Sequence, residues 1–370
     1  MNLRVVPYTH DHIEAVRAFN RRLKEGGSRY QFPEEPVSRQ YPRTDDADIY
    51  QEYFLAVQGE YVRGGYILRH QDFRINQEDK KIAAYQLPLS EAFVDSSFKG
   101  IGKKLLEDGL ERQPLMIVLG IGGHDQPAAQ FFRRMQWKMH DVPFYFRILH
   151  PFRFLRNISY LRRNLLYKML MDLAAFSGIG WIGLKFLNFF ILRKTLRIED
   201  SRSEMVDGFA SWANDLWDVI RKGYIFSSVR DSNILNMIYP QSDQRFLRIR
   251  VFFGKNNVGW AVLMATDLKG HNFFGKMKLG SIIDCLALPG FEEYVIEEST
   301  KTLKALDVDL IVTNQSYKSW RRAMKNCGYM EGLTNYLLGL SPDLSEMLEP
   351  LDKNFELMHV NRGDSTYLNL

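Results

Sequence analysis

Ser97-Phe98-Lys99-Gly100-Ile101-Gly102-Lys103-Lys104-Leu105-Leu106 follows the run Glu91-Ala92-Phe93-Val94. The order predicts a strand, a tight glycine turn and the opening of a helix. Such a turn aims successive backbone N–H groups and the positive end of a helix dipole at one point, which suits a phosphate or pyrophosphate. Gly100 and Gly102 permit unusual dihedrals and close approach to the backbone, while Lys99, Lys103 and Lys104 add positive charge. A lone GxG is a weak signal, so its weight rests on the elements around it.

Those elements occur twice. The first half reads as a helix over 11–24, a polar loop over 26–48, and β-like runs over 53–58 and 65–71. A strand over 83–94 then enters the glycine turn and a helix over 102–111. A buried strand over 115–120 and a helix over 126–135, ending at Trp137, complete it. Residues 201–341 repeat the order: a helix over 212–222, strands over 247–253 and 259–266, and a strand over 281–288 entering Pro289-Gly290. A helix over 292–306, a strand over 310–313 and a helix over 318–326 come next. The offset is roughly 190–195 residues, pairing Gly65 with Gly259, Ile117-Val118 with Ile311-Val312, and Trp137 with Tyr329; matched order at a constant offset indicates duplication.

Composition agrees with two folded domains. The 370 residues are 45% hydrophobic and 25% charged, which excludes a disordered chain. A net charge of +5 admits anionic ligands without demanding nucleic acid. Cys285 and Cys327 make neither a disulfide framework nor a metal-type CxxC, so the expected setting is reducing and cytoplasmic. The eight histidines are scattered, and no metal site is expected. Met1 to Glu14 mixes polar, acidic and apolar residues and does not read as a signal peptide.

Between the halves, Pro151 to Thr195 has its own character. Arg153, Arg156, Arg162, Arg163 and Lys168 precede an apolar run from Leu173 to Leu192, broken by Gly178, Gly180, Gly183 and Lys185. A helical hairpin is the first reading, an interfacial segment on an anionic membrane the second, and a membrane span the third. The aromatics here follow an apolar pattern, not a stacking one, so RNA is not expected.

Taken together, the first half resembles the GCN5-related N-acetyltransferase (GNAT) family. The resemblance rests on Gly65-Tyr66-Ile67-Leu68, on the strand before Lys99-Gly100-Ile101-Gly102, and on Asp125 to Trp137. The family's pyrophosphate motif is Q/R-x-x-G-x-G/A. The second half resembles bacterial polysaccharide-locus members more weakly, through Leu216-Trp217, Val229-Arg230-Asp231, Tyr239-Pro240 and Ile283-Asp284. The implied fold is α/β, with two GNAT-like mixed-sheet domains in tandem joined by a helical apolar and basic linker. The expected limits are 1–150 for an acyl-CoA-binding domain, 151–200 for the linker, 201–345 for a degenerate copy and 346–370 for a C-terminal tail.

The resemblance implies acyl-CoA, acetyl-CoA first, as co-substrate. Backbone amides of Phe98, Lys99, Gly100, Ile101, Gly102 and Lys103 would hold its pyrophosphate, and Phe93 and Val94 on the strand would meet the pantetheine and thioester. The acceptor would be an amine or hydroxyl, on a small molecule or a glycan or cell-envelope precursor. Peripheral membrane contact through 151–195 and the oligomeric state stay open. The competing reading is a CoA-binding or assembly protein that kept the fold and lost turnover. Departures from the family feed that alternative: Ser97 replaces Gln or Arg, Phe132 stands where a tyrosine commonly protonates the leaving thiolate, and Gln136 replaces a glycine. The second half has Pro289-Gly290 without the GxG pair and Met324 at the tyrosine position, which argues against a second acyl-CoA site.

Three residues are candidates for catalysis. Glu91 precedes the turn and reads either as a base or as a salt-bridged carboxylate. His124 ends a strand after Gly122-Gly123, where a surface-loop role competes. Asp284, on the equivalent strand of the second half, reads as a substrate ligand. Asp125 is expected to cap the following helix, and Arg230-Asp231 reads as an ion pair or a sugar-binding pair.

Overall fold

The computed structural model describes residues 3–44, 48–159, 200–271 and 273–365. The readings of the linker's apolar run lie outside those residues. Among the described residues no helix is long and apolar enough to cross a membrane. The described parts of Met1–His140 with Leu337–Glu349 form one compact unit, and those of Asp141–Tyr336 with Pro350–Leu370 form a second.

In the first unit, β1 (Arg4–Pro7), β2 (Tyr50–Gln58), β3 (Tyr61–Ile75) and β4 (Glu78–Ser90) form an antiparallel run. Beside it lie β5 (Met116–Leu119), parallel to β4, and then β15 (Leu337–Leu340) and β6 (Lys138–Asp141). Strand alternation splits the apolar residues between two faces. Phe54, Tyr66, Leu68 and Tyr85 meet helices α2 (Ile101–Arg112) and α3 (Pro127–Arg134) on one face. Leu55, Val57, Ile67 and Leu89 meet α1 (Ile13–Glu25) on the other. Helix α1 presents Val16, Phe19 and Leu23 at the spacing of one helical stripe, and all three are buried.

The second unit repeats the order. Strands β8 (Ser201–Met205), β10 (Leu247–Phe253), β11 (Asn256–Asp267) and β12 (Lys278–Ala287) are antiparallel neighbours, and β13 (Leu310–Asn314) runs parallel to β12. Next come β7 (Phe144–Ile148) and β14 (Met330–Gly332). Each sheet therefore takes one strand from the opposite half of the sequence: β15 fills in the first the place that β7 fills in the second. The expected limits at 150 and 201 follow chain order; these two strands do not.

Pairing registers refine the internal repeat. A side chain on Gly64 would strike the Leu89 carbonyl at 2.7 Å, and one on Gly259 the Leu286 carbonyl at 2.4 Å. Gly64, not Gly65, is therefore the counterpart of Gly259, and the close approach explains both glycines. Trp137 and Tyr329 correspond as expected, since their amides donate to the carbonyls of Phe132 and Met324.

The expected C-terminal tail is divided: residues 346–349 belong to the first unit, while the described residues from 350 to 365 belong to the second and supply part of its interior. Met358–His359 forms a strand parallel to β9 (Phe226–Ser228), and His359, Asn361 and Asp364 are buried. The start of the expected linker also packs there, through Phe154, Leu155 and Ile158 against Leu279 and Leu310.

Candidate functional site

Gly100 stands at the N-cap of α2 with φ 99°, a left-handed conformation that glycine adopts without a Cβ penalty. The amides of Ile101, Gly102 and Lys103 open the helix with no carbonyl one turn behind them. Among the described residues no side chain caps this helix start, and a Cβ placed on Gly100 or Gly102 meets no atom within 4 Å. The turn is thus an open corner of backbone donors. Lys103 reaches toward Glu107 at 3.5 Å, and the Lys104 ammonium donates to the Leu3 carbonyl, so Lys104 points away along the helix.

The approach to the turn differs from expectation. Strand β4 ends at Ser90, and Glu91–Phe93 and Ser96–Phe98 are two short 3-10 turns. Ser90 accepts from the Ala92 amide and Asp95 from the Ser97 amide, so side chains replace the ladder at these positions. Phe93 and Val94 therefore do not lie on a strand facing a thioester. The Val94 amide is spent on the Glu91 carbonyl, its side chain packs onto Gly26, and the Phe93 ring is 68% exposed.

Glu91 is a support for the turn. Its side chain is buried, with one oxygen 2.6 Å from Arg22 Nε and the other 2.8 Å from Arg63 Nη1. Both oxygens are committed to guanidinium groups, which does not suit a base. Arg63 in turn lies 4.4 Å over the Phe98 ring, the residue that leads into Lys99 and Gly100. An acid–arginine–aromatic column thus sets where the glycine turn sits.

Strands β4 and β5 pair only at Ala83–Met116 and Ala84–Ile117 and part beyond that. Opposite the opening, β4 carries a bulge between Gln86 and Leu89, with Leu87 at φ 45°. A branched apolar residue in the left-handed region is strained backbone of the kind held at functional positions. Gln86 is buried and accepts from Gln51 Nε2 at 3.1 Å. Sequence reading missed both residues, although Leu87-Pro88 in a strand is a bulge signal.

His124 lies in the Gly120–Gln126 loop after β5, half-buried, with its ring against the Arg133 guanidinium of α3. Asp125 is not the cap of that helix. Gln126 holds the N-cap position and Pro127 opens α3. Phe132 is buried among Tyr85, Phe131 and Trp137, so no hydroxyl occupies its place. Gln136 has φ 64°, the conformation that Gly328 adopts after the matching helix.

In the second unit Asp284 is enclosed. Arg230 donates to Asp284 at 3.0 Å and to Asp364 at 3.0 Å, with Ser227 and Ser228 each 2.8 Å from its Nη1. Asn361 and Tyr239 complete the shell around Asp284. Burial raises the Asp284 carboxyl above its ordinary range, against the pull of Arg230. Asp284 is a buried structural carboxylate, not a substrate ligand. Arg230 pairs with Asp284 and Asp364, while Asp231 caps the Ser232–Ile238 helix through the Ile234 amide. Strands β12 and β13 part beyond Ser281–Val312 as their counterparts do. The second turn, however, is closed: the Gly290 amide donates to the Glu292 carboxylate at 2.9 Å.

No family model and no curated protein matches this chain. Solved structures do. A protein from Enterococcus faecalis V583 described as a probable N-acyltransferase of unknown function aligns at TM-score 0.50 and 11% identity, over 94% of this chain and 75% of its own. A tandem GNAT protein from the clavulanic acid biosynthesis pathway, solved without acetyl-CoA, aligns at TM-score 0.50 and 11% identity, over 92% of this chain and 98% of its own. At these identities the likeness is one of fold: the chain has two GNAT-like mixed-sheet units in tandem.

Proposed function

We propose that this protein transfers an acyl group, acetyl first, from acyl-CoA to an amine or hydroxyl, with the acyl-CoA held by the first unit. The observation that carries the reading is the uncapped Gly100–Lys103 corner, reached through two 3-10 turns from a strand that splays from its neighbour. The amides of Ile101, Gly102 and Lys103, with Lys99 and Lys103, would take the pyrophosphate. The acceptor attacks the thioester carbonyl, a C–N or C–O bond forms, the C–S bond breaks, and the acceptor's proton passes to solvent or a base. His124 is the remaining candidate base. Backbone amides near the Leu87 bulge are the candidate donors to the oxyanion. With Phe132 in place of a hydroxyl, the thiolate leaves without an acid from that position, which lowers the rate and does not forbid transfer. A sugar or cell-envelope precursor fits the resemblance of the second half, and two buried free cysteines agree with a reducing cytoplasm.

The second reading, CoA binding without turnover, is favoured by one observation: Glu91 and Phe132 are both spent on packing. Titration calorimetry with CoA tests the shared premise. The wild type binds and Gly102→Trp, whose side chain enters open space, does not; CoA binding equally well to both proteins, or to neither, overturns the assignment. Thiol release from acetyl-CoA against a panel of amines and amino sugars then separates the two readings, turnover on any acceptor deciding for transfer.

A further inference from the structure

The second unit holds a cavity of about 250 Å³ where its closed turn meets the Lys318–Asn326 helix. Its position matches the corner that is open in the first unit, but its chemistry is reversed. Glu292 sits on the Gly290 amide and faces the cavity, so the donor a phosphate would use already serves a carboxylate. A phosphate there would also meet that negative charge at close range. The second lining carboxylate, Glu293, is engaged by Asn326 Nδ2. Arg322 lies exposed in the lining as its cation, and Tyr317 and Ser319 bring hydroxyl groups to the same lining. Ile220 and Ala323 give an apolar floor.

Size and polarity restrict the occupant. A cavity of about 150 Å³ holds one benzene, so this one suits roughly a dozen non-hydrogen atoms, far fewer than an acyl-CoA has. Among the described residues no lysine or arginine forms an ion pair with Glu292 within 4 Å, and burial raises its carboxyl above the ordinary range. Arg322 acts on Glu292 only from beyond ion-pair contact; an ammonium group would give it a partner at close range, and the hydroxyls beside it would receive polar substituents.

We propose that this cavity binds a small primary amine carrying hydroxyl groups, with the ammonium against Glu292 and the hydroxyls toward Tyr317 and Ser319. The site is separate from the proposed acyl-CoA corner and does not rest on it. Glucosamine is the probe and glucose its uncharged counterpart, each titrated into the full chain by calorimetry. Glucosamine is expected to bind at least tenfold more tightly than glucose. Glu292→Gln keeps an acceptor for the Gly290 amide and should remove that preference, while Val219→Trp, at an exposed lining position, should block both sugars. Equal binding of the two sugars, no binding up to tens of millimolar, or an unchanged preference in Glu292→Gln overturns the proposal. CoA titrated into the same samples reports the first unit independently.

Discussion

Gly100 and Gly290 hold the same left-handed corner in their two units, with φ 99° and 89°, yet the chain leaves the two corners differently. Two residues on, the first unit has Gly102 and open space, and the second has Glu292 folded back onto the corner. The bulges differ in the same sense. Gln86 faces Ile67 in the first and Asp284 faces Val262 in the second, and Asp284 is a carboxylate locked by Arg230, which also holds Asp364. A duplicated backbone can thus be kept while the charge at one seat is inverted and a buried neutral strand position becomes a charged one enclosed by an arginine. The first unit retains donors facing outward; the second has satisfied them from within.

The comparison breaks most severely at Arg230. Arg230→Met leaves Asp284 and Asp364 buried without their cation, which should cost about 3–5 kcal/mol. The second unit should then melt well before the first, seen as a separate calorimetric transition; a single unshifted transition would show that the enclosed cluster contributes little. Glu91→Gln breaks the matching support in the first unit. Because Arg22 and Arg63 keep partial access to water, the cost should be smaller, about 2 kcal/mol, with weaker CoA binding and no change in glucosamine binding. Gly102→Glu makes the first turn resemble the second. A carboxylate in the first helical turn should raise stability by about 0.5–1 kcal/mol while CoA affinity falls at least tenfold. Stability and binding moving together would contradict the open-corner reading. Gln136→Gly copies Gly328 and should add up to about 1 kcal/mol by relieving a left-handed glutamine, read as a rise of a few degrees in Tm.

Local signals account for what was legible in the sequence. The glycine turn, the strand before it and the helices with a clear apolar stripe all depend on residues within a few positions of each other. Helix 318–326 and strand 247–253 are observed over the expected residues. The one-residue slip at Gly64 arose because two adjacent glycines carry the same pattern, and only the Leu89 carbonyl distinguishes them. The choice between base and salt-bridged carboxylate at Glu91 stayed open in the sequence because Arg22 and Arg63 reach it from distant positions. The Arg230 cluster joins residues more than a hundred positions apart, so neither Asp284 nor the C-terminal segment could be read as core. Short strands such as β6, β7, β14 and β15 carry too few residues for an alternating pattern.

The borrowed strands bear on how the protein comes to be made. Strand β5 lacks its outer neighbour until Leu337–Leu340 has been synthesised, about 200 residues later, or roughly 10–40 s at ordinary elongation rates. Throughout that interval a central hydrogen-bonding edge waits for its mate on the ribosome, a state that invites misassociation. Contacts of such sequence separation also slow folding. Cutting the gene between its two repeats would therefore yield not two domains but two sheets, each missing an interior strand.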